Sequence, residues 1–240
     1  MARFYLPPAD WLPATALVGD EARHLSQVLR IKAGETITVF DGTGRRATAE
    51  VTEVSRQRVG IHLGAEIPNR KPLPGITLAQ AIPKGKNMDL IVQKSVELGI
   101  AAIDPILTKN TVVQPGEGKS DKWRRNALEA CKQCGQDTLP AIADPQPFER
   151  WLAAQVEKPG LKIIASLAEG ARPMRTVLHD HPRTTQAILL VGPEGDFTPE
   201  ETSAALAAGF IPVSLGAIVL RVETATIFCL AALRYEFDQP

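Results

Sequence analysis

The chain has 240 residues, 44% of them hydrophobic and 22% charged, and its 27 basic side chains balance 27 acidic ones. A chain of this size and composition buries a large core without help from disulfides or metal, which excludes the disordered, collagen-like and coiled-coil classes. Zero net charge announces no polyanionic partner, but residues 1–134 carry 19 basic and 14 acidic groups against 8 and 13 in the remainder, so a polyanion would prefer the first part.

The opening third is β-rich. Thr36–Phe40 runs into the turn cluster Asp41-Gly42-Thr43-Gly44, Arg46–Val54 alternates, and Val59, Ile61 and Leu63 repeat the period of two. Short strands joined by glycine turns predict a small barrel. One helix interrupts it over Asp20–Leu29, with Leu25, Val28 and Leu29 on a shared face. Pro68–Pro74 holds three prolines in seven residues and reads as a stiff connector, which puts a domain boundary at residue 72.

Beyond it, strands and helices alternate. Ile76–Ile82, Ala101–Leu107, Leu161–Ser166, Ala187–Val191 and Phe210–Leu215 are apolar strands. Asn87–Leu98 is helical, with Met88, Ile91, Val92, Ser95 and Val96 on one stripe. Ser120–Gln136, Phe148–Val156 and Val222–Phe237 are further helices, and Thr198-Pro199-Glu200-Glu201 is a capping box that starts another. This alternation predicts an α/β domain with a mostly parallel sheet over residues 73–240, following a β domain over residues 1–72.

Cys131 and Cys134 have the spacing of a metal or redox pair, yet no second pair exists and Cys229 stands alone. They are read as small apolar residues one helical turn apart, in keeping with a reducing cytoplasm. None of His24, His62, His179 and His181 has zinc-ligand spacing, so no metal is expected. Met1–Pro8 has no apolar signal core, and the longest apolar run, Ile227–Leu233, falls far short of the ~20 residues of a membrane span. Gly116-Glu117-Gly118-Lys119-Ser120 imitates a phosphate loop, but Val113 stands where that motif needs glycine.

The chemistry is concentrated in the last third. The strand Ala187–Val191 empties into Gly192-Pro193-Glu194-Gly195-Asp196-Phe197, and Phe210–Leu215 empties into Gly216, with Arg221 just ahead of the last helix. Glycines at the carboxyl ends of parallel strands let backbone approach a ligand.

Gly192-Pro193-Glu194-Gly195 followed by Leu215-Gly216 and Leu220-Arg221-x-Glu223-Thr224-Ala225 resembles the RsmE family of ribosomal RNA methyltransferases. Arg3-Phe4-Tyr5, Glu21–Leu25 with Val28-Leu29-Arg30, Lys84–Asp89 with Gln93–Gly99, and Glu129–Gly135 match its other motifs, so the resemblance covers the whole chain. It implies a SPOUT-type fold with a trefoil knot behind a PUA-like barrel, S-adenosylmethionine as cofactor, and a homodimer. It also implies methylation at N3 of a uridine in 16S ribosomal RNA of the small subunit. Carried over by motif, the cofactor residues are Leu167, Val191, Gly192, Pro193, Glu194, Gly195, Leu215, Gly216, Ile218, Leu220, Thr224 and Ala225. Arg221 and Glu194 are the catalytic candidates, and Arg3, Arg23, Arg30, Lys84 and Lys86 the RNA contacts. Ile227, Leu230, Ala231 and Arg234, with Phe228 and Tyr235, mark a helix face expected between subunits.

Three positions depart from the family. Asp196 stands where a second glycine is usual, and Ile218 and Gln136 where arginines are usual. Aspartate tolerates unusual backbone angles, so the loop is expected to survive. The alternatives are an inactive RNA-binding homologue and a SPOUT enzyme acting on transfer RNA.

Overall fold

The computed structural model describes residues 2–68, 73–116, 118–182 and 184–237. The middle of the expected connector, residues 69–72, lies outside the described residues, and so does the boundary expected there. The chain forms two units. One gathers Met1–Pro72 with Leu128–Leu139, and the other gathers Leu73–Ala127 with Pro140–Pro240.

In the first unit, alternating side chains build a curled sheet. Its strands are β1 (Arg3–Tyr5), β2 (Ala14–Val18), β3 (Thr36–Phe40), β4 (Arg46–Val54) and β5 (Arg58–Glu66), in the order β1-β3-β4-β5-β2. Only β1 and β3 run parallel. Ile37, Val39, Ala47, Ala49, Val51, Val59 and Ile61 turn inward and share one core with Phe4, Leu6, Leu17, Ala22 and Leu25. The first and last strands meet in that core, and irregularities in the β4–β5 register help the sheet to bend around it. β1 and β2 escape a periodicity search because they are short and are separated by Pro7, Pro8 and Pro13.

The expected helix over Asp20–Leu29 changes winding halfway. Helix α1 (Gly19–Arg23) passes into a π-wound segment, His24–Leu29, closed by Arg30 at φ 52°. Wider winding rotates Val28 and Leu29 off the face that regular helical spacing gives them. Leu25 is fully buried, while Val28 and Leu29 are 69% and 44% exposed, which corrects the shared face read from the sequence.

Buried ion pairs hold residues 128–139 to this unit. Arg3 Nη2 donates to Asp137 Oδ1 at 2.5 Å and to Gln136 O at 3.0 Å, and Arg46 Nη1 lies 3.3 Å from Asp137 Oδ2. Lys132 Nζ donates to Glu21 Oε1 at 2.8 Å, with both side chains largely buried. Burial pushes the Glu21 carboxyl up against the opposing pull of Lys132.

The second unit is a parallel sheet with helices between its strands. It comprises β6 (Gly75–Ala81), α2 (Asn87–Glu97), β7 (Ala102–Leu107), α3 (Lys119–Cys134, whose end belongs to the first unit), β8 (Ala141–Ile142), β9 (Gln146–Pro147) and α4 (Phe148–Ala153). The chain continues through β10 (Leu161–Ala165), β11 (Arg172–Pro173), α5 (Met174–Asp180), β12 (Gln186–Val191), α6 (Pro199–Ala207), β13 (Ile211–Ser214) and α7 (Val222–Phe237). The strand order is β11-β13-β10-β12-β6-β7-β8, with β9 also beside β7, and every pairing is parallel. The expected α/β class and parallel sheet are therefore the observed ones. Helix α5 is not among the expected elements, because its seven residues are too few to show a helical period.

The stripe Met88, Ile91, Val92, Ser95 and Val96 is buried as expected. The capping box is complete: Glu201 N donates to Thr198 Oγ1, and Thr198 N donates to Glu201 Oε2. Helix α7 buries Val222, Thr226, Cys229, Leu230 and Leu233. Leu230 is thus spent within its own chain and not on a subunit face, whereas Phe228 and Tyr235 are 47% and 76% exposed. Burial pushes the Cys131 and Cys229 thiols up to about 12, so both act as packing residues. Among the described residues no helix is long and apolar enough to cross a membrane.

Lys132→Met would leave the Glu21 carboxylate buried and unpaired, at a cost of about 3–5 kcal/mol near neutral pH. A carboxyl whose folded pKa is raised binds more protons in the folded state, so the loss shrinks as pH falls toward its unfolded value. Urea unfolding at two pH values checks this, and a loss that grows in acid would contradict it.

Candidate active site

Three neighbouring parallel strands end at one edge of the second unit's sheet, and their following loops enclose a cavity of about 450 Å³. Ala165 ends β10 and Ser166 and Leu167 follow it; Val191 ends β12 and Gly192, Pro193, Glu194 and Asp196 follow it; Leu215, Gly216 and Ile218 to Leu220 follow β13. Arg221, Val222, Glu223 and Ala225 add the start of α7, and Asn87 the start of α2.

The β12 loop is a tight turn closed by Asp196 N donating to Pro193 O at 2.9 Å. Asp196 sits at φ 58° and accepts from Phe197 N at 2.8 Å through its own Oδ1. Aspartate thus fills a left-handed position where glycine is the easier choice, and its carboxylate stabilises the turn. The loop is strapped from below. Asn110 Nδ2 donates to Gly195 O and to Asp196 O, each at 2.9 Å, and Glu201 Oε1 accepts from Lys109 N at 2.8 Å. Gly195 itself faces Asn110, whose Cβ lies 3.3 Å from where a Gly195 Cβ would stand.

Glu194 is exposed, and its Oε1 accepts from Lys84 N at 2.9 Å, which ties the loop ahead of α2 to the β12 loop. Arg221 precedes the first turn of α7 and its carbonyl accepts from Ala225 N. A cation at the positive end of a helix costs about 0.3–1 kcal/mol, so helix stability does not explain it. Glu223, two residues on, accepts from Asn87 Nδ2 at 3.2 Å. Below them, the buried Thr226 Oγ1 stands 2.7 Å from Gln80 Oε1 and 2.9 Å from Val222 O. Its single proton serves one of them at a time, fixing α7 against β6.

Of the residues expected at the site, Leu167, Val191, Gly192, Pro193, Glu194, Leu215, Gly216, Ile218, Leu220, Arg221 and Ala225 line the cavity. Gly195 and Thr224 do not: the first packs on Asn110 and the second is exposed. Ile218 is 78% exposed at the rim beside Val219 at 71%. Asn87, Ser166 and Glu223 line the cavity as well and are not among the residues expected there; Glu223 lies inside the Leu220–Ala225 motif and Asn87 in the Lys84–Asp89 segment, but only the fold brings them together.

The expected RNA contacts divide. Arg23, Arg30, Lys84 and Lys86 are exposed. Arg3 is not a free surface cation, because Asp137 and the Gln136 carbonyl occupy its guanidinium. It holds the first unit together instead.

A family model described as an RNA methyltransferase domain matches residues 69–234, and one described as an RNA methyltransferase PUA domain matches residues 17–62. Fold and site are those of an RNA methyltransferase class. The ribosomal RNA small subunit methyltransferase E of Synechocystis is 32% identical over 96% of this chain and 76% of its own length. A ribosomal RNA small subunit methyltransferase E from Neisseria gonorrhoeae, solved bound to S-adenosyl methionine, is 34% identical, with a TM-score of 0.86 over 98% of this chain and 97% of that one. A methyltransferase from Legionella pneumophila, solved with bound SAM, is 33% identical with a TM-score of 0.86 over the same shares of the two chains. This chain belongs to the ribosomal RNA small subunit methyltransferase E family.

Asp196→Gly is expected to stay within about 1 kcal/mol of the parent, whereas Asp196→Val should lose about 1–3 kcal/mol, because a β-branched residue resists positive φ. Thermal unfolding of the two variants decides, and equal midpoints would contradict the strained turn.

Proposed function

We propose that the chain is an S-adenosylmethionine-dependent methyltransferase that modifies N3 of a uridine in 16S ribosomal RNA. The observation that carries this reading is the cavity shared by the β12 and β13 loops, with Arg221 at its wall, in a chain of this family.

The lining suits such a cofactor. Its volume is in the range of small-ligand sites, roughly 300–1,000 Å³. Leu167, Leu215, Ile218 and Leu220 offer apolar surface to a purine, and backbone at Val191–Pro193 and Leu215–Gly216 offers hydrogen bonds. Glu194, Asp196 and Glu223 outnumber Arg221, which favours a cationic ligand. When bound, the cofactor supplies a methyl group on a sulfonium, an electrophile that the chain's own residues need only orient.

Uracil N3 is mostly protonated at neutral pH. Glu194 accepts that proton, while its second oxygen keeps the bond to Lys84 N. Arg221 faces the carbonyl oxygens on which the resulting charge collects. Asp196 supports an active enzyme over an inactive homologue, since it holds the left-handed turn of the loop at φ 58°. Arg23, Arg30, Lys84 and Lys86 hold phosphates of the RNA and fix its position. The exposed face of Phe228, Ala231 and Tyr235 on α7, with Leu90 on α2 40% exposed, pairs with a second copy in a homodimer. Trefoil threading of the last strands, and action in the cytoplasm where small subunits are built, belong to the same reading.

The test is transfer of labelled methyl from S-adenosylmethionine to small-subunit ribosomal RNA. Arg221→Ala should lower turnover about 10²-fold with cofactor affinity nearly unchanged, because a fixed cation matters most as charge develops. A weaker cofactor complex with unchanged turnover would remove Arg221 from the chemistry.

A further inference from the structure

Asn87 shares the cavity wall with Arg221 and Glu223. It is the first residue of α2 and is half-buried. Its side-chain Nδ2 donates to Glu223 Oε2 at 3.2 Å, and its side chain makes no other hydrogen bond among the described residues. An ionised carboxylate can only accept, so Glu223 dictates which end of the amide is nitrogen. One N–H is thereby spent on Glu223, and a second N–H on the same nitrogen remains for a ligand. Two segments brace the pair. The bond from Lys84 N to Glu194 anchors the loop just ahead of Asn87, and Thr226 beside Gln80 anchors the first turns of α7 that carry Glu223. A half-buried amide with one donor fixed and one open, on the same cavity wall as the Arg221 guanidinium, which has no partner among the described residues, is an arrangement for holding negative charge on oxygen.

We infer that Asn87 is a catalytic residue, donating its free Nδ2–H to one of the two uracil carbonyl oxygens that flank N3, with Glu223 as its positioning residue. This rests on the uridine-N3 reading above. N3 gives its proton to the Glu194 carboxylate, and the charge left behind spreads onto both carbonyls. Asn87 holds one of them and Arg221 the other. The electron pair on N3 then forms the new N–C bond as the carbon–sulfur bond breaks, its electrons staying on sulfur, and Glu194 passes its proton to water. The amide contributes more to the anion than to the neutral base, so it lowers the barrier and not merely the binding energy.

The experiment measures methyl transfer to small-subunit ribosomal RNA across pH for the full-length parent, Asn87→Ala and Asn87→Asp, with cofactor affinity by calorimetry. Asn87→Ala should lose about 10²-fold in turnover while cofactor affinity stays within about twofold, as for removal of one oxyanion donor. Its pH profile should rise at higher pH than the parent's, because N3 without its donor is a weaker acid. Asn87→Asp should lose more, since a carboxylate repels the forming anion. RNA carrying 5-fluorouridine, whose N3 is more acidic, should recover most of the Asn87→Ala loss, to within about tenfold of the parent on the same RNA. A loss with an unmoved pH profile and no recovery would overturn the proposal and leave Asn87 a shaping residue. A parent protein that binds the cofactor but leaves every uridine unmodified would instead remove the reading beneath it.

Discussion

The placement of β12 between β10 and β6 is the constraint from which the site follows. These strands are parallel, so their carboxyl ends come out along one edge, and each must be followed by a loop there. β13 joins on the far side of β10 in the same sense. Loops from β10, β12 and β13, remote in sequence, therefore converge without any residue being selected for proximity. Side chains such as Ile164, Leu189 and Leu190 are buried on this sheet, which pins the register and hence the loop positions. A slip by one residue would swap the faces on which Leu189 and Leu190 pack, both of them filled, and shift Gly192 along the sheet relative to Leu215.

Polar groups then tune what the sheet positions roughly. Glu201 closes the cap of α6 and also holds Lys109; Asn110 holds Gly195 and Asp196; Thr226 beside Gln80 fixes α7. Each lies under or beside the cavity, where a buried unmatched donor or acceptor would cost about 1–3 kcal/mol. The loops are thus held before any ligand arrives, the condition under which fixed dipoles and charges act on a reaction without first reorganising. Asp196 shows the same economy, combining a turn-forming backbone with a carboxylate that caps its own loop.

Much of this was legible in the sequence because it is local. The α2 stripe, the Thr198 capping box, the glycine loops and the tolerance of Asp196 for a left-handed angle depend on near neighbours and were read correctly. What failed was not local. Regular spacing puts Val28 and Leu29 on a face shared with Leu25, which π-winding breaks up, and puts Leu230 on a subunit face, where its own chain covers it instead. Arg3 read as a surface cation because its partner, Asp137, is 134 residues away. Asn87 and Glu223 were visible letter by letter, but their 3.2 Å contact exists only once α2 and α7 pack together.

The central claim is that this cavity delivers a methyl group to one atom of one base. Digestion of small-subunit ribosomal RNA from a strain lacking this protein, with nucleoside mass spectrometry before and after incubation with the purified chain and S-adenosylmethionine, tests it most directly. The account predicts that 3-methyluridine is missing beforehand and appears at a single position afterwards. A 2′-O-methyl nucleoside or a methylated guanosine in its place would contradict it.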